Sequence, residues 1–258
     1  MKLAFKKMGE GEPLIILHGL FGSSDNWQTL GKRFAEDFEV YLVDQRNHGR
    51  SPHSDEFNYD ILADDLRDFM EEHGLEKAHL LGHSMGGKTV MRFGQKYPGH
   101  TLSLMVADMG IKAYQPHHQK VLEAFHAINP ETLKARSEAE HRIKDIIPDF
   151  GVRQFLLKNL YRKKEGGYGL RPNYKVLEER MPEILEHLPE ERTEDVPTLF
   201  IRGTKSDYVL DEDKDEIRSV FPKAEFADLQ AGHWLHAEDP DGFYEKVMDF
   251  VTKRNPAP

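Results

Sequence analysis

The chain has 258 residues, enough for one large domain with a sizeable core, and a formal net charge of −10. The charge is spread along the sequence, which reads as a solvated acidic surface and disfavours nucleic acid and anionic membrane as partners. Cysteine is absent, which excludes a disulfide framework, a thiol nucleophile and a Cys-ligated zinc site.

The first residues, Met1-Lys2-Leu3-Ala4-Phe5, lack the apolar stretch of a secretory signal peptide. No apolar run approaches the roughly 18 residues of a membrane span. A soluble, cytoplasmic protein is expected. In chain order, short apolar runs at residues 14–17, 40–44, 78–82 and 102–108 read as strands. Between them, Tyr59, Leu62, Ala63, Leu66, Phe69 and Met70 recur at helical spacing, and Gly74 follows as a C-cap. Val90, Met91 and residues 93–97 continue a second helix.

The alternation breaks at about residue 111. Residues 111–196 show no convincing strand and read as several helices, with Val121, Leu122, Phe125 and Ile128 on one stripe and Pro130, Pro148, Pro172, Pro182 and Pro189 as punctuation. So long and well patterned a stretch is neither loop nor disorder. It reads as a helical cap over the sheet's C-terminal edge, where open α/β sheets bind ligands. Strands return at residues 197–202 and 225–229, and Phe243, Val247, Phe250 and Val251 mark a last helix. The expected architecture is α/β: a mostly parallel sheet with helices on both faces, formed by residues 1–110 and 197–258, with 111–196 inserted as the cap.

The most informative stretch is Gly82-His83-Ser84-Met85-Gly86, set between a strand and a helix. It has the pattern of a nucleophile elbow, in which glycines two residues either side let the turn tighten and leave the serine exposed. A serine nucleophile needs a general base. Among 14 histidines, His233 stands out, because it follows the last strand and Gly232 and precedes the last helix. His236 is the competitor, expected to hydrogen-bond locally within its turn. A tetrahedral intermediate needs two donors: the N–H of Met85, and one from the loop His18-Gly19-Leu20-Phe21-Gly22, for which Leu20 is chosen.

These motifs together resemble the α/β-hydrolase superfamily, with His18-Gly19, the turn at 44–51, the elbow and Gly232-His233 in family order across nearly the whole chain. More narrowly, His18-Gly19-Leu20-Phe21-Gly22-Ser23, Asp25-Asn26-Trp27, 44–51, 84–88, Ala107-Asp108-Met109-Gly110, 203–209 and 232–238 resemble the bacterial YbfF-type esterases. The resemblance implies the α/β-hydrolase fold and a structural role for the 44–51 turn, bracing the loops beneath the site. Lys88, one helical turn past Ser84, is expected on the helix surface.

The triad acid has two candidates. In most of the superfamily it is an aspartate three residues after the glycine that ends the strand at 197–202. Here that position holds Ser206, and Asp207 is one residue late. The resemblance to YbfF-type enzymes implies the aspartate of the earlier strand, Asp108, with Ser206 as an auxiliary partner of His233.

Family members that are dehalogenases or epoxide hydrolases carry aspartate at the elbow, so Ser84 argues against both. No His-Glu-x-x-His, Gly-x-Gly-x-x-Gly or P-loop pattern appears, so no metal or nucleotide cofactor is expected. His117-His118 reads as a solvated pair. The expected reaction is hydrolysis of a small-molecule carboxylic ester, or of a thioester such as an acyl-CoA, through an acyl-enzyme on Ser84. A C–C hydrolase or another serine-dependent reaction is the alternative, and a non-catalytic binding module ranks last. Phe125, Ile128, Phe155 and Leu156 either line an acyl site or pack the cap helices together.

Overall fold

A strand hidden from the hydrophobic pattern opens the fold. β1 (Phe5–Met8) alternates exposed and half-buried residues and carries Lys6 and Lys7, so it shows no apolar run. The computed structural model describes residues 1–193 and 196–253; residues 194, 195 and 254–258, which the expected domains include, lie outside the described residues. The chain continues through β2 (Glu12–Leu17), α1 (Gln28–Phe34), β3 (Phe38–Val43), α2 (Tyr59–Glu72), β4 (Ala78–His83), α3 (Met85–Lys96) and β5 (Thr101–Ala107). The insertion follows as α4 (Gln119–Ile128), α5 (Arg136–Ile143), α6 (Phe150–Lys158), β6 (Leu160–Arg162), β7 (Tyr168–Leu170), α7 (Tyr174–Glu179) and α8 (Met181–Leu185). The sheet resumes with β8 (Thr198–Gly203), α9 (Asp213–Val220), β9 (Ala224–Leu229), α10 (Leu235–Glu238) and α11 (Pro240–Thr252).

Seven strands form one sheet in the order β1-β3-β2-β4-β5-β8-β9. All pairs are parallel except β1 with β3. This is the α/β-hydrolase fold. The middle strand β4 is buried at all six residues, as expected where helices cover both faces. On one face Trp27, Leu30 and Phe34 pack with Phe243, Val247 and Val251. On the other, residues of α2 and α3 join the insertion in one continuous apolar cluster. The insertion is therefore part of the core rather than a tethered appendage.

α2 shows how local sequence sets these elements. The Asn58 side chain accepts from the Ile61 N–H at 2.8 Å, capping the start. At the end, Gly74 takes φ +67, while Leu75 N–H reaches Met70 O and Gly74 N–H reaches Glu71 O, a Schellman closure. The insertion departs from expectation at one point. It holds a short antiparallel hairpin, β6 with β7, where only helices were expected. Strands of three residues are too short to show alternation; the turn signal was the Gly166-Gly167 pair, both at positive φ. Among the described residues, no helix is long and apolar enough to cross a membrane.

Candidate active site

The elbow sits at the C-terminal end of the central strand. Ser84 adopts φ 53 and ψ −119, a conformation that costs a side-chain-bearing residue about 1–3 kcal/mol and persists only under tight constraint. The constraint is the close approach of backbone on both sides. A Cβ on Gly82 would lie 2.1 Å from the Gly86 carbonyl oxygen, and one on Gly86 would lie 2.6 Å from those of Leu17 and His18. Only glycine fits either position. The Ser84 N–H is anchored on Ala107 O at 3.1 Å, tying the elbow to β5.

The end of β5 brings the next group. Asp108 is fully buried and also adopts a positive φ, 49. Its Oδ1 accepts from the Gly203 N–H at 3.0 Å, and its Oδ2 accepts from the Ser206 hydroxyl at 2.5 Å. The same Oδ2 is 2.8 Å from His233 Nδ1. A carboxylate partner places the proton on Nδ1 and leaves Nε2 as the basic nitrogen. Asp207 is exposed and takes no part in this cluster. Three strand ends, those of β5, β8 and β9, thus converge on His233.

His233 is held from two further directions. Its ring stacks on Tyr208, with centroids 3.7 Å apart and planes 13° from parallel. Its carbonyl accepts from His83 Nε2 at 2.8 Å. Burial, reinforced by His236 and His233, holds His83 well below the usual imidazole range, so it is neutral and donates through Nε2. Burial likewise pushes the Tyr208 phenol up. Ser84 and His233 line the same cavity, although no hydrogen bond joins them; such contacts commonly tighten once a substrate is seated.

The loop after β2 is braced from below. His18 Nδ1 donates to Gly19 O at 2.8 Å, and His18 Nε2 accepts from the Gln45 N–H at 3.0 Å. Gln45 Nε2 also donates to His18 O, and Thr89 Oγ1 donates to Gln45 Oε1. From the insertion, Asn159 Nδ2 donates to Phe21 O at 2.8 Å. Met85 is the first residue of α3, whose leading N–H groups have no partner within the helix. Among the described residues the N–H groups of Leu20 and Met85 make no hydrogen bond. The 44–51 turn lies beneath this loop. Asp44 accepts from the Ser24 and Arg50 N–H groups, and Arg46 is paired in a fork with the buried Asp65.

Ser84, His233 and the loop from His18 to Gly22 open onto a cavity of about 640 Å³. Its sheet side carries Leu20, Phe21, Ser84, Tyr208, His233 and Trp234; its insertion side carries Val121, Val152 and Phe155. Phe125, Ile128 and Leu156 are fully buried in the core and absent from the wall, so of the four candidate acyl contacts only Phe155 lines the cavity.

Three sequence-based expectations need correction. Lys88 is not on the surface: it is fully buried, its amine donating to the carbonyls of Lys112 and Glu186. His236 does not bond locally through Nδ1, which has no partner; its ring stacks on Trp27 with centroids 4.3 Å apart. His117-His118 is only in part a solvated pair, since His117 is exposed and His118 is not. His118 is largely buried in the cavity wall, and His117 Nε2 meets the Tyr208 hydroxyl at 2.5 Å. Sequence reasoning missed Tyr208, Trp234 and His83 as neighbours of the site. Their only signal was adjacency to Ser206, His233 and Ser84.

Burial lowers His118 to about 4 and His236 to about 3. Both are neutral in the fold and protonate near the ordinary value once unfolded. The unfolded chain therefore binds more protons below about pH 6.5, and stability falls as pH drops from there toward the folded values. Each such histidine contributes up to about 1.4 kcal/mol per pH unit in that window. The melting temperature should accordingly fall between pH 7 and pH 5, and His236→Phe, which keeps the stack on Trp27, should flatten that slope. An unchanged slope in the variant would refute the assignment.

Comparison with known proteins defines the class. A sequence model of the alpha/beta hydrolase fold family matches residues 12–125. The chain is 34% identical to the esterase YbfF of Escherichia coli K12, covering 93% of each. It is also 34% identical to the sn-1-specific diacylglycerol lipase ABHD11 of Danio rerio, covering 96% of this chain and 80% of that one. A solved structure of a marine microorganism esterase superimposes with a TM-score of 0.94 at 41% identity, covering 96% of this chain and 99% of the other. The chain belongs to the α/β-hydrolase family.

Proposed function

We propose that this α/β hydrolase cleaves carboxylic esters through an acyl-enzyme on Ser84. The observation that carries the reading is that Ser84 and His233 line one cavity while His233 Nδ1 lies 2.8 Å from the carboxylate of the buried Asp108 behind it. The relatives described as esterases and as a diacylglycerol lipase support the same chemistry.

In this reading Ser84 Oγ attacks the ester carbonyl carbon while His233 Nε2 takes its proton. The carbonyl π pair moves onto oxygen, where the N–H groups of Leu20 and Met85 receive it; losing one such donor typically costs about 10²–10³ in turnover. Collapse of the tetrahedral species breaks the bond to the alcohol oxygen, and the His233 imidazolium protonates that leaving group. Water, deprotonated by His233, then attacks the acyl-enzyme, and Ser84 leaves with the proton restored. Asp108 fixes the His233 tautomer and stabilises the imidazolium without itself being protonated. Ser206 and the Gly203 N–H hold that carboxylate in place. The insertion between β5 and β8 acts as a cap that supplies the far wall, apolar at Val121, Val152 and Phe155 and polar at His118, Gln154 and Lys158.

The substrate class follows from the cavity. Its mostly apolar wall suits an uncharged acyl chain, and a thioester carbonyl would meet the same groups. Hydrolysis of p-nitrophenyl esters of graded chain length and of acyl-CoA thioesters tests this, together with mass-spectrometric mapping of a fluorophosphonate adduct. The expected result is ester turnover with the adduct on Ser84. Absence of turnover on every ester, or an adduct elsewhere, would overturn the reading.

A further inference from the structure

Among the described residues, Lys88 is the one buried lysine amine, and the proposed chemistry leaves it unused. It lies in α3, one helical turn beyond Ser84, and is fully buried. It does not line the cavity, so it cannot touch a substrate. Its surroundings are instead the two chain segments that carry the cap away from the sheet and back. The outgoing and returning segments pair as a short antiparallel stalk: Leu188 N–H donates to Ile111 O, and Tyr114 N–H donates to Leu185 O, each at 2.8 Å. Two carbonyls of this stalk, those of Lys112 on the outgoing segment and Glu186 on the returning one, are not used by these rungs. Both accept from Lys88 Nζ, the first at 3.0 Å. The rings of Tyr59 and Tyr114 lie 5.7 and 5.1 Å from the same nitrogen. From α2, the Tyr59 hydroxyl donates to Ile184 O at 2.7 Å, a second tie to the returning segment.

We propose that Lys88 is a positioning residue that clamps both segments of the cap stalk onto the elbow helix and so fixes the cap wall over Ser84. A surface lysine needs no partners. A buried amine without acceptors, or buried carbonyls without donors, would be strongly unfavourable, so the three groups hold one another in place. Burial lowers the amine to about 7. Either protonation state keeps at least two N–H donors, enough for both carbonyls, so the clamp does not depend on charge. It couples the cap to the same helix whose first N–H serves the proposed oxyanion site.

The kinetic consequence rests on the acyl-enzyme reading. Loosening the stalk lets the cap wall, with Val121 and Phe155, sample positions that do not bind substrate. A fall in the competent fraction to about one tenth raises the apparent dissociation constant about tenfold and leaves the chemistry of bound substrate intact. Lys88→Met in the full chain tests this, with Tyr59→Phe as a milder variant that removes only the second tie. The measurements are kcat and KM on p-nitrophenyl esters and amide hydrogen exchange at Tyr114 and Leu188. Lys88→Met should raise KM about tenfold with kcat within about twofold. Exchange at those two amides should quicken while β4 and β5 stay protected. Tyr59→Phe should move both readouts the same way by less, and Lys88→Gln, whose shorter side chain cannot reach both carbonyls, decides the matter if Lys88→Met does not fold. Unchanged KM and exchange would overturn the clamp, as would a loss of kcat at constant KM. If the wild type hydrolyses no ester, the functional reading fails, and the exchange measurements still decide the clamp.

Discussion

Ser84→Ala should lower turnover of p-nitrophenyl esters by about 10⁵–10⁶ while leaving the fold intact. The argument is geometric. Ser84 stands at φ 53 because glycines at 82 and 86 let two backbones meet around it, and none of that contact involves its hydroxyl. Alanine keeps the Cβ and the same conformational cost, so circular dichroism and melting should be unchanged within about 0.5 kcal/mol. What disappears is the atom proposed to form the acyl-enzyme. The residue of rate left over water, about 10³–10⁴, would come from the Leu20 and Met85 donors and from the cavity alone. Stopped-flow assays under single-turnover conditions read this directly, as does loss of the fluorophosphonate adduct. A variant that retained a tenth of the activity would exclude Ser84 as nucleophile and leave the geometry without a function.

Legibility in the sequence divided along physical lines. Strands buried on both faces are near-continuous apolar runs, so β2, β3, β4, β5 and β8 were visible with ends shifted by a residue or two, while the edge strand β9, mostly exposed or half-buried, showed only the alternation of Ala224, Phe226 and Leu229 with charged residues. The edge strand β1 has one half-buried face and two lysines, and the hairpin of β6 and β7 has three residues a side; neither leaves a period long enough to read. The elbow at Ser84 was legible because its tight turn demands glycine at 82 and 86, and His233 was legible by its place between the last strand and the last helix. The surroundings of Lys88 were not. A lysine in a helix carries no local mark of burial, and its two carbonyl partners lie 24 and 98 residues away in sequence. Tyr208 stayed hidden for the same reason, since stacking on His233 is a contact between loops that follow different strands. The choice between Asp108 and Asp207 was open to residue spacing and depended on resemblance. In the fold it becomes a difference between a buried, triply engaged carboxylate and an exposed one.

That difference sets the second large effect. Asp108→Asn should reduce kcat by about 10⁴, and Asp207→Asn should stay within about twofold of wild type. The asparagine amide is nearly the same size, so the variant keeps its place between β5 and β8. Its hydrogen bonds, however, no longer agree. The Gly203 N–H at the δ1 side requires an oxygen there. The amide nitrogen then falls at the δ2 side, facing both the Ser206 hydroxyl and His233 Nδ1. Ser206 can turn its hydroxyl and become the acceptor. His233 can avoid two opposed donors only by moving its proton to Nε2, the nitrogen that has to be free to take the proton of Ser84. Flipping the amide the other way restores His233 but sets the NH₂ against the buried Gly203 N–H, which has no freedom to turn. Either arrangement loses the base or strands a buried donor, so the loss should appear in kcat with little change in KM. Proton NMR of the downfield Nδ1–H, present in wild type and absent in Asp108→Asn, reports the tautomer independently of rate. If Asp207→Asn instead abolished both the signal and the activity, the acid would have to lie on the loop after β8, and the hydrogen bond from His233 to Asp108 would be structural.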